Sequence, residues 1–408
     1  MKTLYIICDL FDPSMGSEFN VGTSIMNMLA VADLNEFNYK IITPGRANNQ
    51  NSVATYLGEL KKRHPLLNLS VKFIPFRYAN SSGHHKNVFF FLLDLILFYK
   101  DAASLIPAGG LVWKCSSVNL FFLIMSSFFL YISIAGPVSG FKKTLPLIVP
   151  CVSIKTKIRY CLYSCFIFIQ EFLLLILKST GRLSPKLLLG STTYDCQSLK
   201  RYFPHAKVIH CMETLHDLRN PGSPKVLMNK PHSQMRILWS GSLIARKNPL
   251  FAIKLFEKIR KHVNATLTIV GDGPLQTDLR SLVSKSPYQQ YISILPSTSR
   301  ASFLKILEYS DILLVTSFRE ANSFLVTEAV LKRVFVVAPR LNGFIDSLQN
   351  SCGSLYTISS TSCMQEVLDI VISLAEGSFE CDFNSTSGIL SHYDNVLSEI
   401  RTGISELL

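Results

Sequence analysis

Glu320 and Glu328 flank the stretch Ala321-Asn322-Ser323-Phe324-Leu325-Val326-Thr327, directly after a short apolar run that ends near Val315. That run, Asp311-Ile312-Leu313-Leu314-Val315, has the composition of a strand buried on both faces. The first carboxylate then falls on a loop and the second inside a helix that begins near Ser323. Such a helix start, built from Asn322, Ser323, Phe324 and Leu325, aims N–H groups and the positive end of its dipole at one point, which suits a diphosphate. A carboxylate a turn or two further in can accept both hydroxyls of a ribose; in isolation, two solvated glutamates near a helix start would read the same. A second candidate is Gly271-Asp272-Gly273-Pro274, between an apolar strand and an amphipathic helix beginning near Leu275. Its N–H groups either face a ligand or merely turn the chain from strand to helix. Gln276 stands where a dinucleotide fingerprint has its third glycine, which disfavours a nicotinamide or flavin site.

Residues of this kind need a rigid sheet to hold them, and the chain spells out two. A strand ending in Asp9, a helix over about 21–32 and a strand at Tyr39 to Thr43 form the alternation of parallel β-α-β units. Further strands are expected at Val71 to Pro75, Leu111 to Lys114, Tyr131 to Ala135, Lys186 to Gly190 and Lys207 to Cys211. Residues 220–233, rich in Pro, Gly, Ser and Asn, read as a linker. The same grammar then restarts with strands at Arg236 to Ser240 and Ala265 to Val270 around a helix from Asn248 to His262, whose Leu250, Ile253, Phe256 and Ile259 recur at helical spacing. Strands at 311–315 and 334–337 follow. The fold class is therefore α/β, with domains at 1–220 and 235–390 and a C-terminal helix at 391–408 that packs back on the first.

At 408 residues the chain is long enough for two cores, and 41 Lys and Arg against 28 Asp and Glu give a formal charge of +13. Anionic lipid and phosphorylated substrates fit this balance, as does a merely solvated basic surface. Nucleic acid is disfavoured, since no basic run is interleaved with aromatics. The ten cysteines, including the close pair Cys161 and Cys165, lack a metal-ligand pattern and are expected as buried reduced thiols. The apolar start is too short for a signal sequence, which points to the cytosol. The charge-free run Val118 to Ala135 splits into a helix and a strand, and Tyr160 to Leu177, with Gln170 and Glu171 in its middle, reads as a buried or membrane-surface helix.

Taken together, Gly241 to Lys247, Gly271 to Pro274 and Glu320 to Glu328, in this order and at these separations, resemble family 4 retaining glycosyltransferases of the GT-B kind. The resemblance covers Arg236 to Tyr356 and includes Tyr309-Ser310-Asp311-Ile312-Leu313-Leu314. It implies two Rossmann-like domains facing a central cleft. It implies that Glu320 lies beside the donor sugar, that Glu328 binds the nucleotide ribose, and that Lys247, with Arg246 assisting, holds the donor phosphates. Gly241, Gly271 and Gly273 join these on the donor side. Gly16-Ser17-Glu18-Phe19-Asn20-Val21-Gly22 resembles the family's glycine loop, with Gly16 toward donor phosphates and Glu18 toward the acceptor. Gly136-Pro137-Val138-Ser139-Gly140 resembles a segment of polysaccharide-assembling members, placing Gly136 and Gly140 on the acceptor side.

The chain departs from the family at Ser242, where an arginine is common and which Arg246 or Arg319 would replace, and at Trp113-Lys114-Cys115-Ser116, where many members have a histidine. His84 and His85 lie in a separate polar loop and read as solvated. No D-x-D triplet occurs, so cationic side chains and helix N–H groups are left to offset the leaving diphosphate, with no metal and no cofactor. P-loop, G-x-S-x-G and H-E-x-x-H motifs are also absent. The expectation is a cytoplasmic enzyme, peripheral on the inner face of the membrane. It would move a sugar with retention from a nucleotide-diphospho-sugar to a glycan or lipid-linked acceptor in bacterial surface polysaccharide synthesis. The apolar helices with Lys142, Lys143, Lys155, Lys157 and Arg159 either dock on an anionic membrane or serve as core. A nucleotide-sugar epimerase, a non-catalytic partner subunit and an integral membrane protein are the rivals.

Overall fold

Short, continuously apolar runs such as Leu187-Leu188-Leu189 and Phe335-Val336-Val337 satisfy their backbone groups and cover both faces only inside a parallel sheet flanked by helices. A computed structural model of the chain contains two such sheets. It describes all residues except 1, 10, 14–20, 33–36, 46–48, 80–86, 116–119, 142–148, 212–233, 321–322, 349–352, 359, 379–385 and 408, and only the backbone of 342 and 386–393. Gly16, Glu18, His84, His85, Lys142, Lys143, the linker 220–233 and Asn322 lie outside the described residues.

In chain order the elements of the first sheet and its helices are β1 (Lys2–Ile7), α1 (Val21–Val31), β2 (Phe37–Gly45), α2 (Asn49–Arg63), β3 (Asn68–Pro75), α3 (Val88–Ser104), β4 (Leu111–Lys114), α4 (Leu120–Ser127), β5 (Ile134–Val138), α5 (Ile154–Ser179), β6 (Leu187–Gly190), α6 (Thr193–Tyr202) and β7 (Lys207–His210). Then come β8 (Met235–Ser240), α7 (Pro249–Arg260), β9 (Ala265–Val270), α8 (Gln276–Ser284), β10 (Ile292–Leu295), α9 (Arg300–Tyr309), β11 (Ile312–Leu314), α10 (Phe324–Leu331), β12 (Phe335–Pro339), α11 (Asn342–Leu348), β13 (Gly353–Tyr356), α12 (Cys363–Ala375) and α13 (Thr386–Ser405). The first sheet has the order β3-β2-β1-β4-β5-β6-β7 and the second β10-β9-β8-β11-β12-β13, with every pair parallel.

In the first unit, Tyr5, Ile7, Phe98, Tyr99, Leu123 and Leu188 share one core. The second has its own, centred on Trp239, Phe251, Phe256, Leu267, Phe335 and Val337. Helix α7 starts where it does because Asn248 adopts a left-handed conformation, φ 54°, which asparagine tolerates, and Pro249 fills the first helical position. Buried Asp311 fixes β11 against β8: one oxygen accepts from the Arg236 backbone N–H at 2.8 Å and from Nε at 3.0 Å, and the other from Nη2 at 2.7 Å.

Three expectations change. The first domain is not the continuous stretch 1–220, since residues 144–164 group with the second unit. Val149 lies in that unit's core, Asn248 Nδ2 donates to the Pro150 carbonyl at 2.9 Å, and the Tyr160 ring meets Phe318 edge-on at 5.0 Å. Residues 392–408 group with the first unit, where Lys207 pairs with Glu406 at 3.1 Å. The cysteines are not uniformly buried: Cys8, Cys115, Cys196, Cys211 and Cys363 are, but Cys151 and Cys165 are exposed. Finally, Gly136 is enclosed inside β5 instead of lining an acceptor surface. Its carbonyl accepts from Trp113 Nε1 at 3.1 Å, and a Cβ there would stand 2.3 Å from the Leu189 carbonyl oxygen.

That contact, at φ +131°, makes Gly136 irreplaceable on steric grounds, whereas Gly58 lies in the middle of α2 with nothing within 4 Å of an added Cβ. Gly136→Ala is expected to cost about 3 kcal/mol or more, and Gly58→Ala to stabilise by about 0.5–1 kcal/mol. Urea midpoints at unchanged slope check both, and equal shifts would refute the assignment.

Candidate active site

In the second sheet the chain leaves β8 toward β9 and β10, then crosses to β11, β12 and β13 on the other side. The loops after β8 and β11 therefore diverge from neighbouring strand ends, which is where open parallel sheets form a crevice. Lys247 and Arg246 come from the first loop and Glu320 from the second. Lys247 Nζ lies 2.6 Å from Glu320 Oε2, and Arg246 Nη1 lies 3.0 Å from Oε1. The same Arg246 nitrogen donates to the Arg319 carbonyl at 3.2 Å.

Backbone contacts hold this cluster. The Phe318 N–H donates to the Arg246 carbonyl at 3.1 Å, joining the two loops. Thr316 joins them again: its hydroxyl is 2.8 Å from the Lys247 carbonyl and 2.9 Å from that of Asn248, while accepting from buried Trp239 Nε1 at 2.8 Å. Tyr356 Oη donates to the Val315 carbonyl at 2.8 Å from the other side. Arg319, which the sequence offers as a replacement phosphate ligand, instead lays its guanidinium over the Tyr163 ring, 3.8 Å from the centroid.

Burial alone would push the Glu320 carboxyl up, but Lys247 and Arg246 more than offset it and hold it below the ordinary 4.5. Glu328 behaves oppositely. Burial inside α10 raises its carboxyl, and the pull of Arg300, which pairs with it from the start of α9, and of Lys332 does not compensate. Ser323 stands at the N-cap of α10 with no side-chain cap bond, and Phe324 and Leu325 form its first turn.

The glycines serve packing. A Cβ at Gly271 would fall 2.0 Å from the Gly241 carbonyl oxygen, and one at Gly273 would fall 2.7 Å from that of Leu243. The Gly271 N–H, expected to face a ligand, donates to the Leu295 carbonyl at 3.1 Å, and Leu243 N–H to the Asp272 carbonyl at 2.8 Å. These glycines let the loops after β8 and β9 touch backbone to backbone, which sets the path on which Lys247 sits. Gly140, half-buried with φ 105°, follows β5 in the first unit. Thr316, Arg300 and Tyr163 went unnoticed in the sequence; only the break from apolar to polar after Val315 marks Thr316 as a strand-end residue.

The first sheet has its own switch point, between β1 and β4. There Lys114 Nζ lies 2.6 Å from Asp9 Oδ2, with side chains 0% and 1% exposed. Cys8 and Cys115 approach beside them at 2.9 Å between sulfurs, and burial raises the Cys115 thiol.

The two glutamates should respond to neutralisation with opposite signs. The folded pKa of Glu320 is below its unfolded value, so its charge contributes stability above about pH 4.5 that is lost as pH falls through the folded value. Glu320→Gln should therefore cost about 1–3 kcal/mol at pH 7, with the gap to the parent closing in acid. The folded pKa of Glu328 is above 4.5, so its ionisation opposes folding as pH rises. Glu328→Gln should melt at or above the parent temperature at pH 7, since its partner Arg300 is 60% exposed and the pair is screened. Melting curves from pH 4 to 8 test this; a destabilised Glu328→Gln at pH 7 would contradict it.

Residues 228–361 match the family described as Glycosyl transferases group 1. No curated protein sequence matches the chain. Among solved structures, the sucrose-phosphate synthase of Thermosynechococcus elongatus has a TM-score of 0.64 at 13% identity, over 100% of this chain and 99% of that one. HepE of Anabaena in complex with UDP and glucose has 0.60 at 11%, and the lipopolysaccharide outer core galactosyltransferase WaaB has 0.59 at 13%, each over 100% of both chains. In sequence the chain thus resembles the glycosyl transferases of group 1 over residues 228–361, and its two parallel sheets with flanking helices have the GT-B fold.

Proposed function

We propose that the chain is a retaining glycosyltransferase that works without a metal, taking a sugar from a nucleoside-diphosphate donor. The observation that carries this reading is the convergence of Lys247 and Arg246 on Glu320 at the switch point of the second sheet. In this reading the donor diphosphate meets the two cations. They offset the charge that grows on the leaving phosphate, as a divalent cation would elsewhere. Glu320, kept ionised by the same cations, lies beside the donor sugar, and Glu328 accepts the ribose hydroxyls once Arg300 swings aside. The complexes of HepE with UDP and glucose and of the pneumococcal transferase GtfA with UDP and GlcNAc support a nucleotide-linked sugar as donor.

Retention follows if the leaving phosphate itself takes the acceptor proton on the same face. An inverting route requires a base on the opposite face. Lys114, at the strand end where many family members have histidine, is enclosed and tied to Asp9. The acceptor is a glycan or a lipid-linked glycan for surface polysaccharide, and the enzyme works at the inner face of the membrane.

Turnover of UDP-, ADP- and GDP-sugars with a lipid-linked acceptor is the test. Activity should persist in EDTA, and proton NMR of the first product from an α-linked donor should give an α-anomeric coupling. Lys247→Ala should weaken donor binding by about 1.5–3 kcal/mol. Loss of activity in chelator with recovery in Mn²⁺, or a β-anomeric product, would overturn the reading.

A further inference from the structure

A cation at the start of a helix opposes the helix dipole. Arg300 is the first residue of α9, and no acid stands in the first turn of that helix to offset it. The helix does not need this side chain in order to begin: Ser299 caps it, the hydroxyl accepting from the Ser302 N–H at 3.3 Å. The Arg300 side chain instead reaches across to α10, where its Nη2 pairs with Glu328 Oε1.

The two partners are unequal. Glu328 is 13% exposed and Arg300 60%. Lys332, just past the end of α10, is taken up by Glu308 of α9 at 2.5 Å, and no neutral donor among the described residues reaches Glu328 Oε1. An enclosed carboxylate is thus offset by a cation that stands mostly in water. The exposed guanidinium loses little by returning to solvent. The carboxylate, left alone, would bear a desolvation cost, so the exchange is favourable when another donor arrives. The hydroxyls of a ribose are such donors, and they compete with Arg300 for the same oxygen.

We propose that Arg300 limits the affinity of the donor site: it pairs with Glu328 while the site is empty, and the ribose must displace it. The proposal rests on the reading of Glu328 as the ribose acceptor. The nucleotide is then held more loosely than its own contacts would hold it, and the return of Arg300 favours its release after transfer. A double-mutant cycle on the full chain tests this, by isothermal titration with UDP, ADP and GDP at pH 8 to keep Glu328 ionised. Glu328→Gln should weaken binding of the nucleotide that the parent prefers. Arg300→Met should tighten it about two- to fivefold, the usual worth of an exposed pair, although it removes a positive charge from beside a polyanion, and its melting temperature should stay close to the parent's. With Glu328→Gln already present, Arg300→Met should bring no such gain. Unchanged or weaker binding by Arg300→Met alone, or an equal gain with and without Glu328→Gln, would overturn the proposal and leave the ribose reading standing. Unchanged affinity in Glu328→Gln, or no nucleotide bound by the parent, would sink the ribose reading and the proposal with it.

Discussion

Two cations share one carboxylate at the end of a buried strand, and the second unit is arranged so that this can persist. Glu320 is 11% exposed, and Lys247 and Arg246 are 22% and 24% exposed. With so little water, either charge alone would carry a desolvation cost that its partner must offset. The geometry must then be held by groups that do not themselves ionise. Thr316 ties the backbone of Lys247 and Asn248 to Trp239, the Phe318 N–H ties the second loop to Arg246, and the left-handed turn at Asn248 directs the chain from the site into α7. The close backbone packing at Gly241, Gly271 and Gly273 fixes the path of the first loop beneath them.

The two switch points hold similar charges in different states, and the difference separates structure from chemistry. Lys114, the last residue of β4, and Asp9, just past the end of the adjacent β1, are 0% and 1% exposed. A pair so enclosed cannot exchange its partner for a ligand without opening the sheet. Lys247 and Arg246 are partly exposed, so in the proposed reading a phosphate could compete with Glu320 for the same hydrogens, at modest desolvation cost since both states are paired. Of these two clusters, the second has the exposure that the proposed donor binding requires.

Much of this was legible in the sequence. Strand β9 at Ala265–Val270 and strand β4 at Leu111–Lys114 fall where the apolar runs place them, because runs this short are too brief for a helix. The spacing from Glu320 to Glu328 placed one carboxylate on a loop and one in a helix, as α10 does. What could not be read is which polar groups meet across the fold. Thr316 lies 69 residues from the carbonyl of Lys247 that it binds, and nothing local in Val315-Thr316-Ser317 announces that contact. The two readings of Gly271 stay open in the sequence for a related reason: a glycine placed for a ligand and one placed for a neighbouring carbonyl look alike until the neighbour is known.

Helix α5 is the sharpest case of this limit. Its residues are apolar nearly all round, which in sequence leaves a core helix and a membrane-surface helix both open, and periodicity cannot separate them when both arcs are hydrophobic. The fold decides by covering one arc. Ile167, Leu174 and Leu177 become core, and Phe166, Ile169 and Phe172 are left outside. Because residues 154–164 of the same helix group with the second unit, Tyr160 and Tyr163 hold Phe318 and Arg319 from the covered side. At its start the helix therefore has a grip on the loop that ends in Glu320. A segment that composition alone would assign wholly to packing or wholly to a membrane serves as core on one side and as surface on the other.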